Sequence, residues 1–275
     1  MSVRGWRRCC NSALSHTEVV EMVVIEGRPE SLPLPHRRCR ASILGVVTTP
    51  DQGVDGQLSA SAVRLLRRPR PRFRGYLHRW AALASIPLGV TLTVFAEGTR
   101  AQFSLLLYSF GITAMLGVSA VVHGRDWSAQ RVEMLVRIDH SVIFLMFGTC
   151  ATPIALMGLD PPVSVLLIAV AWTGALLGIC GVWVPLHPRA GVMNGAYLGF
   201  GWSMVVFAPW LIMSLSIPES ILLFGGGAAY TLGAVVVGAR RPDPWPDTFG
   251  YHEIWHVHVV VAVACHTLLV VSLAY

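Results

Sequence analysis

The sequence has few charged residues and no lysine at all. Only 13% of its 275 residues are charged, 54% are hydrophobic, and the mean hydropathy is +0.59. Soluble domains carry about 25% charged residues, so the composition excludes an ordinary soluble globule. A helix needs about 17 to 25 apolar residues to cross a bilayer. Seven windows of at least that length contain no charged residue: 80–96, 101–124, 140–159, 161–188, 190–218, 220–239 and 254–275.

The windows also lack the alternation of polar and apolar residues that marks membrane β-strands. The run from Val163 to Ala171, for example, is apolar almost throughout. Helices and closed barrels are the structures that satisfy backbone hydrogen bonds in hydrocarbon, and barrel strands alternate over about 10 residues. The six cysteines form no CxxC pair, which excludes zinc ribbons and redox motifs. We therefore predict an all-α bundle of seven transmembrane helices in residues 75–275.

Residues 1–74 are predicted to form a basic, mostly disordered arm in front of this domain. Thirteen of the 21 basic residues lie in residues 1–76, where they are mixed with proline, serine and glycine. No apolar run followed by a cleavage site occurs near the start, so we expect no secretory signal. The arginines from Arg64 to Arg74 favour binding to anionic lipid headgroups over binding to nucleic acid.

The distribution of arginine predicts which side of the membrane each end occupies. Cytoplasmic loops carry the excess of basic residues. Arginines occur in the arm and in the joints 124–138, 185–192 and 239–253, whereas the opposite joints contain only Arg100. We predict a multi-pass protein of the inner or plasma membrane, with its N-terminus in the cytoplasm and its C-terminus outside.

Four ionisable side chains fall at the cytoplasmic ends of three windows: His123, Asp139, His252 and His256. An ionisable group at membrane depth is costly unless it is paired or ligated, so a functional site is the default hypothesis. His252 and His256 are four residues apart and share one helix face, and His123 could supply a third nitrogen. Three neutral imidazoles leave one open position on a tetrahedral zinc ion, which is the arrangement of catalytic zinc.

Other polar residues lie near this depth. Ser119 lies one turn deeper than His123, and its hydroxyl either steadies the site or a substrate oxygen, or bonds its own backbone carbonyl. His78 lies at the right depth to contact the ligands. His140 is expected to be a neighbour of the site, and His266 to form a buried hydrogen bond about 15 Å deeper than His256.

The residues His252 to His256 also match the motif H-E-x-x-H, in which Glu253 would be the general base of a metalloprotease. The extended motif places a third histidine at position 262, where this sequence has alanine. An intramembrane metalloprotease is therefore a less favoured alternative.

Three motifs, in this order, resemble the bacterial hemolysin III family, which is related to the progestin and adipoQ receptors, the adiponectin receptors among them, and to the alkaline ceramidases. They are Ser119-Ala-Val-Val-His123, Arg137-Ile-Asp139-His140 and His252-Glu-Ile-Trp-His256. The resemblance covers roughly Gly75 to Tyr275. It implies that His123, His252 and His256 bind zinc, that Asp139 reaches the metal through a water, and that Ser119 lies beside them. The family's usual G-T-Y-T-P appears here as Thr149-Cys-Ala-Thr-Pro153.

Our leading hypothesis is a metal-dependent hydrolase that acts on an amide or ester bond of a membrane lipid. In this hypothesis the metal activates a water, Asp139 orients it and takes its proton, and Ser119 helps to hold the developing oxyanion. The alternative is a non-enzymatic membrane protein, receptor-like or cytolytic and pore-forming, in which zinc only ties the helices together.

Overall fold

A computed structural model describes residues 58–67, 70–184 and 191–275, which are almost entirely helical and contain no β-strand. The all-α prediction is confirmed for these residues. The α-helices are α1 (Ala60–Arg67), α2 (Tyr76–Phe95), α3 (Thr99–Gly124), α4 (Ala129–Gly158), α5 (Val163–Trp183), α6 (Val192–Ser203), α7 (Ala208–Ser214), α8 (Ile217–Ala239) and α9 (Tyr251–Ala274).

Six helical segments of the described chain are long and apolar enough to cross a membrane. They are α3, α4, α5, the continuous segment Val192–Ser214, α8 and α9. Helix α2 contains most of the first predicted window, but His78 and Arg79 in its first turn lower its apolar content. The count of seven spans therefore stays a prediction.

The fifth predicted window is not one regular helix. Helix α6 ends at Ser203, a 3₁₀-helix follows over Met204–Phe207, and α7 begins at Ala208. Pro209 lies in the first turn of α7. Proline has no N–H to donate, and so it fits a first turn and interrupts a longer helix.

The buried core lies mainly between α3, α4 and α9. Tyr108, Leu116 and Leu269 are among its fully buried side chains. The Tyr108 hydroxyl lies 2.8 Å from Thr267 Oγ1, so the largest of these side chains has a polar partner across the bundle. Helix α9 packs chiefly on α8, whereas α3 packs on α2 and α4. Many large apolar residues of α5, α7 and α8 are exposed, as expected for helices that face lipid.

Helix α1 lies within the predicted basic arm and packs on α4. Ala62 is fully buried against Val132 and Val136, and the Ser59 N–H donates to Glu133 Oε2 at 2.8 Å. The tail of the predicted arm therefore contains a helix at Ala60–Arg67 that the composition did not indicate. Residues 1–57 lie outside the described residues, so the disorder and the lipid binding expected of them stay predictions.

Candidate metal centre

Three histidines from two helices meet at one end of the bundle. His123 is the last residue but one of α3, and His252 and His256 lie in the first two turns of α9. One ring nitrogen of each histidine lies within 4.8 Å of the other two. The ring of His123 is centred 4.6 Å from that of His252 and 5.2 Å from that of His256. The structure thus brings together the three histidines that the sequence singled out.

Asp139 and Ser119 lie beside this group. Asp139 Oδ2 is 3.6 Å from His123 Nε2, an ion-pair distance that is longer than a good hydrogen bond. Ser119 is buried one helical turn before His123, on α3. Both residues line the same cavity as His123 and His252. The five residues predicted for the site therefore occupy one region of the molecule.

The donor set fits a zinc ion. His123 Nδ1 and His252 Nε2 are buried and have no hydrogen-bond partner among the described residues. A buried polar atom without a partner costs about 1–3 kcal/mol, so these rings favour an additional ligand or ion. Zinc–nitrogen bonds of about 2.0–2.1 Å place tetrahedral ligand nitrogens about 3.3 Å apart. The three ligand atoms would therefore approach one another by at most about 1.5 Å to bind it.

His78, at the start of α2, is a fourth histidine next to the group. Its ring lies parallel to that of His256, with centroids 3.8 Å apart and an interplanar angle of 3°. His78 is 2% exposed, and neither ring nitrogen has a hydrogen-bond partner in the described part of the chain. The depth of His78 along the helix indicated this neighbourhood, but not the stacking.

The other histidines lie outside the group of three. His140 faces Tyr197, with ring centroids 6.0 Å apart, and lines the cavity. His266 Nε2 lies 3.2 Å from the Leu223 carbonyl oxygen, and its Nδ1 is 3.6 Å from Cys150 Sγ. The prediction of a buried hydrogen bond for His266 is confirmed.

The Glu253 side chain points toward the N-terminus of α9, where it contacts Gly250 and Arg74. Its carboxylate is 3% exposed, forms an ion pair with Arg74, and accepts a hydrogen bond of 2.9 Å from the Gly250 N–H. Arg74 is the partner that sequence reasoning missed, since it counted there only as one of the basic residues before the first window. No spacing signal links two residues that are 179 positions apart.

A long cavity extends from the histidines into the bundle. Its volume is about 840 Å³ and its walls are mostly apolar. His252 and Asp139 lie at one end, and Cys150, Leu223 and His266 line the deeper part. The 14 residues from His252 to His266 correspond to about 21 Å of helix, which is the length of an extended lipid chain.

Comparison with known proteins identifies the family. The sequence model of the family described as "Haemolysin-III related" matches residues 66–267, which is most of the chain and includes every residue of the candidate centre. The chain belongs to the hemolysin III family. The resemblance drawn from the three motifs is thereby confirmed.

Two relatives in the hemolysin III family come from Bacillus. The hemolysin-3 homolog of Bacillus subtilis (strain 168) is 28% identical over 186 residues, which cover 66% of this chain and 84% of the relative. Hemolysin-3 of Bacillus cereus is 29% identical over 187 residues, which cover 66% of this chain and 82% of that protein. Together with the six apolar helices, membership of the hemolysin III family confirms a multi-pass protein of the cell membrane.

Proposed function

We propose that this protein is a zinc-dependent hydrolase that cleaves an amide or ester bond of a membrane lipid. The observation that carries the proposal is the position of the three-histidine group, with ligand nitrogens within 4.8 Å, at one end of a mostly apolar cavity of about 840 Å³. Such a cavity can hold an acyl chain and present the bond at its polar end to the histidines.

In this proposal, each residue around the histidines has a separate role in hydrolysis. Zinc, when bound, supplies a Lewis acid and makes a water more acidic. Asp139 would orient the attacking water and accept its proton at Oδ2, which lies 3.6 Å from His123 Nε2. The Ser119 hydroxyl, one turn deeper, would donate a hydrogen bond to the oxygen on which negative charge develops. Ser119, His123 and His256 are buried, which limits the access of bulk water to the reacting bond.

We also propose that α2 crosses the membrane as a seventh span. Its 20 residues correspond to about 30 Å, the thickness of the hydrocarbon core. An odd number of spans agrees with the arginine-rich joints and leaves the N-terminus in the cytoplasm and the C-terminus outside. The basic arm would then lie at the cytoplasmic face, where anionic headgroups attract it.

A receptor-like or pore-forming protein with structural zinc is the second candidate function. The names of the two Bacillus relatives favour the cytolytic form of this alternative. The metalloprotease alternative loses support from the structure, because the Glu253 carboxylate is engaged by Arg74 and the Gly250 N–H. A general base has to reach the water that it deprotonates.

The test compares wild type with His123→Ala and Asp139→Asn by elemental mass spectrometry and by turnover of lipid amides and esters. We expect about one zinc per chain in wild type and none in His123→Ala. Asp139→Asn should keep its zinc and lose at least about 100-fold in turnover, because it removes the general base.

His258→Ala is the matched control, since His258 lies on the same helix and its Nδ1 lies 2.8 Å from the Ile254 carbonyl oxygen of its own helix. This variant should keep both zinc and turnover. Folded wild type without zinc would overturn the proposal. Liposomes that leak dye while their lipids stay intact would favour the pore-forming alternative.

A further inference from the structure

We propose that residues 70–74, called the strap below, hold the metal-binding ends of α3 and α9 in register, with the Arg74–Glu253 ion pair as the decisive contact. The proposal rests on the proposed function only in taking the three histidines as the metal ligands. Arg74 and Glu253 are positioning residues here, because they act through the backbone that carries the histidines.

The strap is bound to the segment that leads into α9. The Arg72 N–H donates to the Asp247 carbonyl oxygen at 2.9 Å, and the Phe73 N–H donates to the Thr248 carbonyl oxygen at 3.2 Å. Arg74 then pairs with Glu253. Glu253 lies between the two metal-binding histidines of α9, so the pair fixes the turn from which both side chains project.

The same strap is bound to the end of α3. Arg70 Nη1 donates to the His123 carbonyl oxygen at 3.3 Å, and Arg70 Nε lies 3.0 Å from Asp126 Oδ1. Gly75, which follows the strap, lies so close to α3 that an added Cβ would come within 2.9 Å of the Gly124 nitrogen. The strap therefore connects the last turn of α3 with the first turn of α9.

Deeper in the bundle, α3 and α9 contact each other directly, and there the Tyr108 hydroxyl lies 2.8 Å from Thr267 Oγ1. Helix α9 packs chiefly on α8, and α3 on α2 and α4. The three ligand nitrogens nevertheless have to meet within a few ångströms. Local contacts at the ends of α3 and α9 therefore add to this deeper packing where the ligands lie, and the strap makes such contacts with both ends.

The ion pair is the contact that is most sensitive to substitution. Glu253 is 3% exposed, whereas the side chain of Arg74 is 17% exposed. A buried carboxylate that loses its cation is left uncompensated, and it regains partners only by moving. Because Glu253 also accepts from the Gly250 N–H, its movement would unwind the turn that holds His252.

The test uses Arg74→Gln, Arg74→Lys and Glu253→Gln in the full-length protein. Zinc affinity is measured by competition with a chelator, and the absorption spectrum of bound Co²⁺ reports the ligand geometry. We expect about tenfold or greater loss of zinc affinity and an altered Co²⁺ spectrum in Arg74→Gln and Glu253→Gln. Arg74→Lys keeps the charge and should recover most of the affinity.

Glu219→Gln provides the matched control. Glu219 occupies the same capping position in α8 that Glu253 occupies in α9: it accepts from the Ser216 N–H at 2.8 Å. The control variant should weaken the first turn of α8 and leave zinc affinity and the Co²⁺ spectrum as in wild type. Equal effects of Glu219→Gln and Glu253→Gln would overturn the proposal, as would unchanged affinity and spectrum in the folded strap variants.

Hydrogen exchange in the metal-free protein separates this proposal from the proposed function. Arg74→Gln should speed exchange in residues 119–124 and 250–256 together. Glu219→Gln should speed it only near residue 216 and near Ser272, whose hydroxyl donates to Glu219 at 2.9 Å. If wild type binds no zinc but Arg74→Gln speeds exchange in both segments, the proposed function is refuted and the strap is supported. If wild type binds zinc but Arg74→Gln does not speed exchange in both segments, only the strap is refuted.

Discussion

Each of the three candidate ligands owes its place to a local feature of its helix. His252 and His256 are four residues apart, so α9 presents both on one face. His123 is the last residue but one of α3, where the helix ends at Gly124 and the side chain can turn toward α9. Residue spacing alone accounts for the pair, and the depth of His123 at the end of its window accounts for the third.

His78 contacts the centre by stacking on His256. Its ring is buried and stacks on His256, and neither nitrogen has a partner among the described residues. Replacing a polar group that has no partner with an apolar group of the same shape is nearly neutral or stabilising. His78→Phe should therefore keep the stack and zinc affinity within about threefold of wild type, and should not lower the unfolding temperature.

His78→Ala is the comparison for this prediction. It leaves space beside His256, so the ring can turn away from the other ligands, and zinc affinity should fall by about tenfold. Chelator competition measures affinity in both variants, and a fluorescence melt measures stability. A loss of zinc in His78→Phe as large as that in His78→Ala would show that a ring nitrogen of His78 binds the metal or its water.

Helices α2 and α3 are in close contact where α2 begins. Gly75 has a φ of +74°, a left-handed conformation, and an added Cβ would lie 2.9 Å from the Gly124 nitrogen. This conformation costs a residue with a side chain about 1–2 kcal/mol. A methyl group at this position would also push α2 away from the last turn of α3, next to His123.

Gly75→Ala should lower the free energy of unfolding by about 2 kcal/mol, from backbone strain together with the steric contact. Gly117→Ala is the control, because Gly117 lies inside α3 and an added Cβ would meet nothing within 4 Å. That variant should be neutral or stabilising by about 0.5–1 kcal/mol. Denaturation in detergent, followed by tryptophan fluorescence, measures both. A Gly75→Ala variant as stable as wild type would contradict this account of the contact.

For the whole molecule, the topology in the membrane decides which compartment the histidines face. If α2 spans the membrane, the α2–α3 turn lies outside and the α3–α4 joint lies in the cytoplasm. In a background without the six native cysteines, a membrane-impermeant maleimide should label Glu97→Cys in intact cells. Ser128→Cys should react only after the cells are opened.

The opposite labelling pattern would reverse the predicted orientation and place the histidine group on the outer side. If neither Glu97→Cys nor Ser128→Cys is labelled in intact cells, both lie on the inner side, which would contradict a membrane crossing by α3 between them. Tyr275→Cys checks the other end of the chain, since an odd number of spans places it outside. An unlabelled Tyr275→Cys together with a labelled Glu97→Cys would contradict the predicted number of spans.

Hydropathy along the sequence predicted the membrane helices but not every detail of the architecture. Charge-free windows predicted the membrane helices, because hydrocarbon leaves a chain few ways to satisfy its backbone hydrogen bonds. The window 190–218 is long and apolar enough to span but is not one regular helix, since hydropathy does not register that Pro209 separates α6 from α7 through a 3₁₀-helix. Helix α1 was also missed, because its packing of Ala62 on α4 depends on residues about 70 positions later.

The sequence by itself determined the membrane class, the family and the residues of the candidate centre, because each depends on composition, on spacing along one helix or on a short motif. Only the tertiary structure decided the contacts between distant segments. These are the stacking of His78 on His256, the ion pair of Arg74 with Glu253, and the cavity that joins the histidines to the interior. Such contacts depend on how helices are placed relative to one another, and helix packing leaves no periodic signal in the chain.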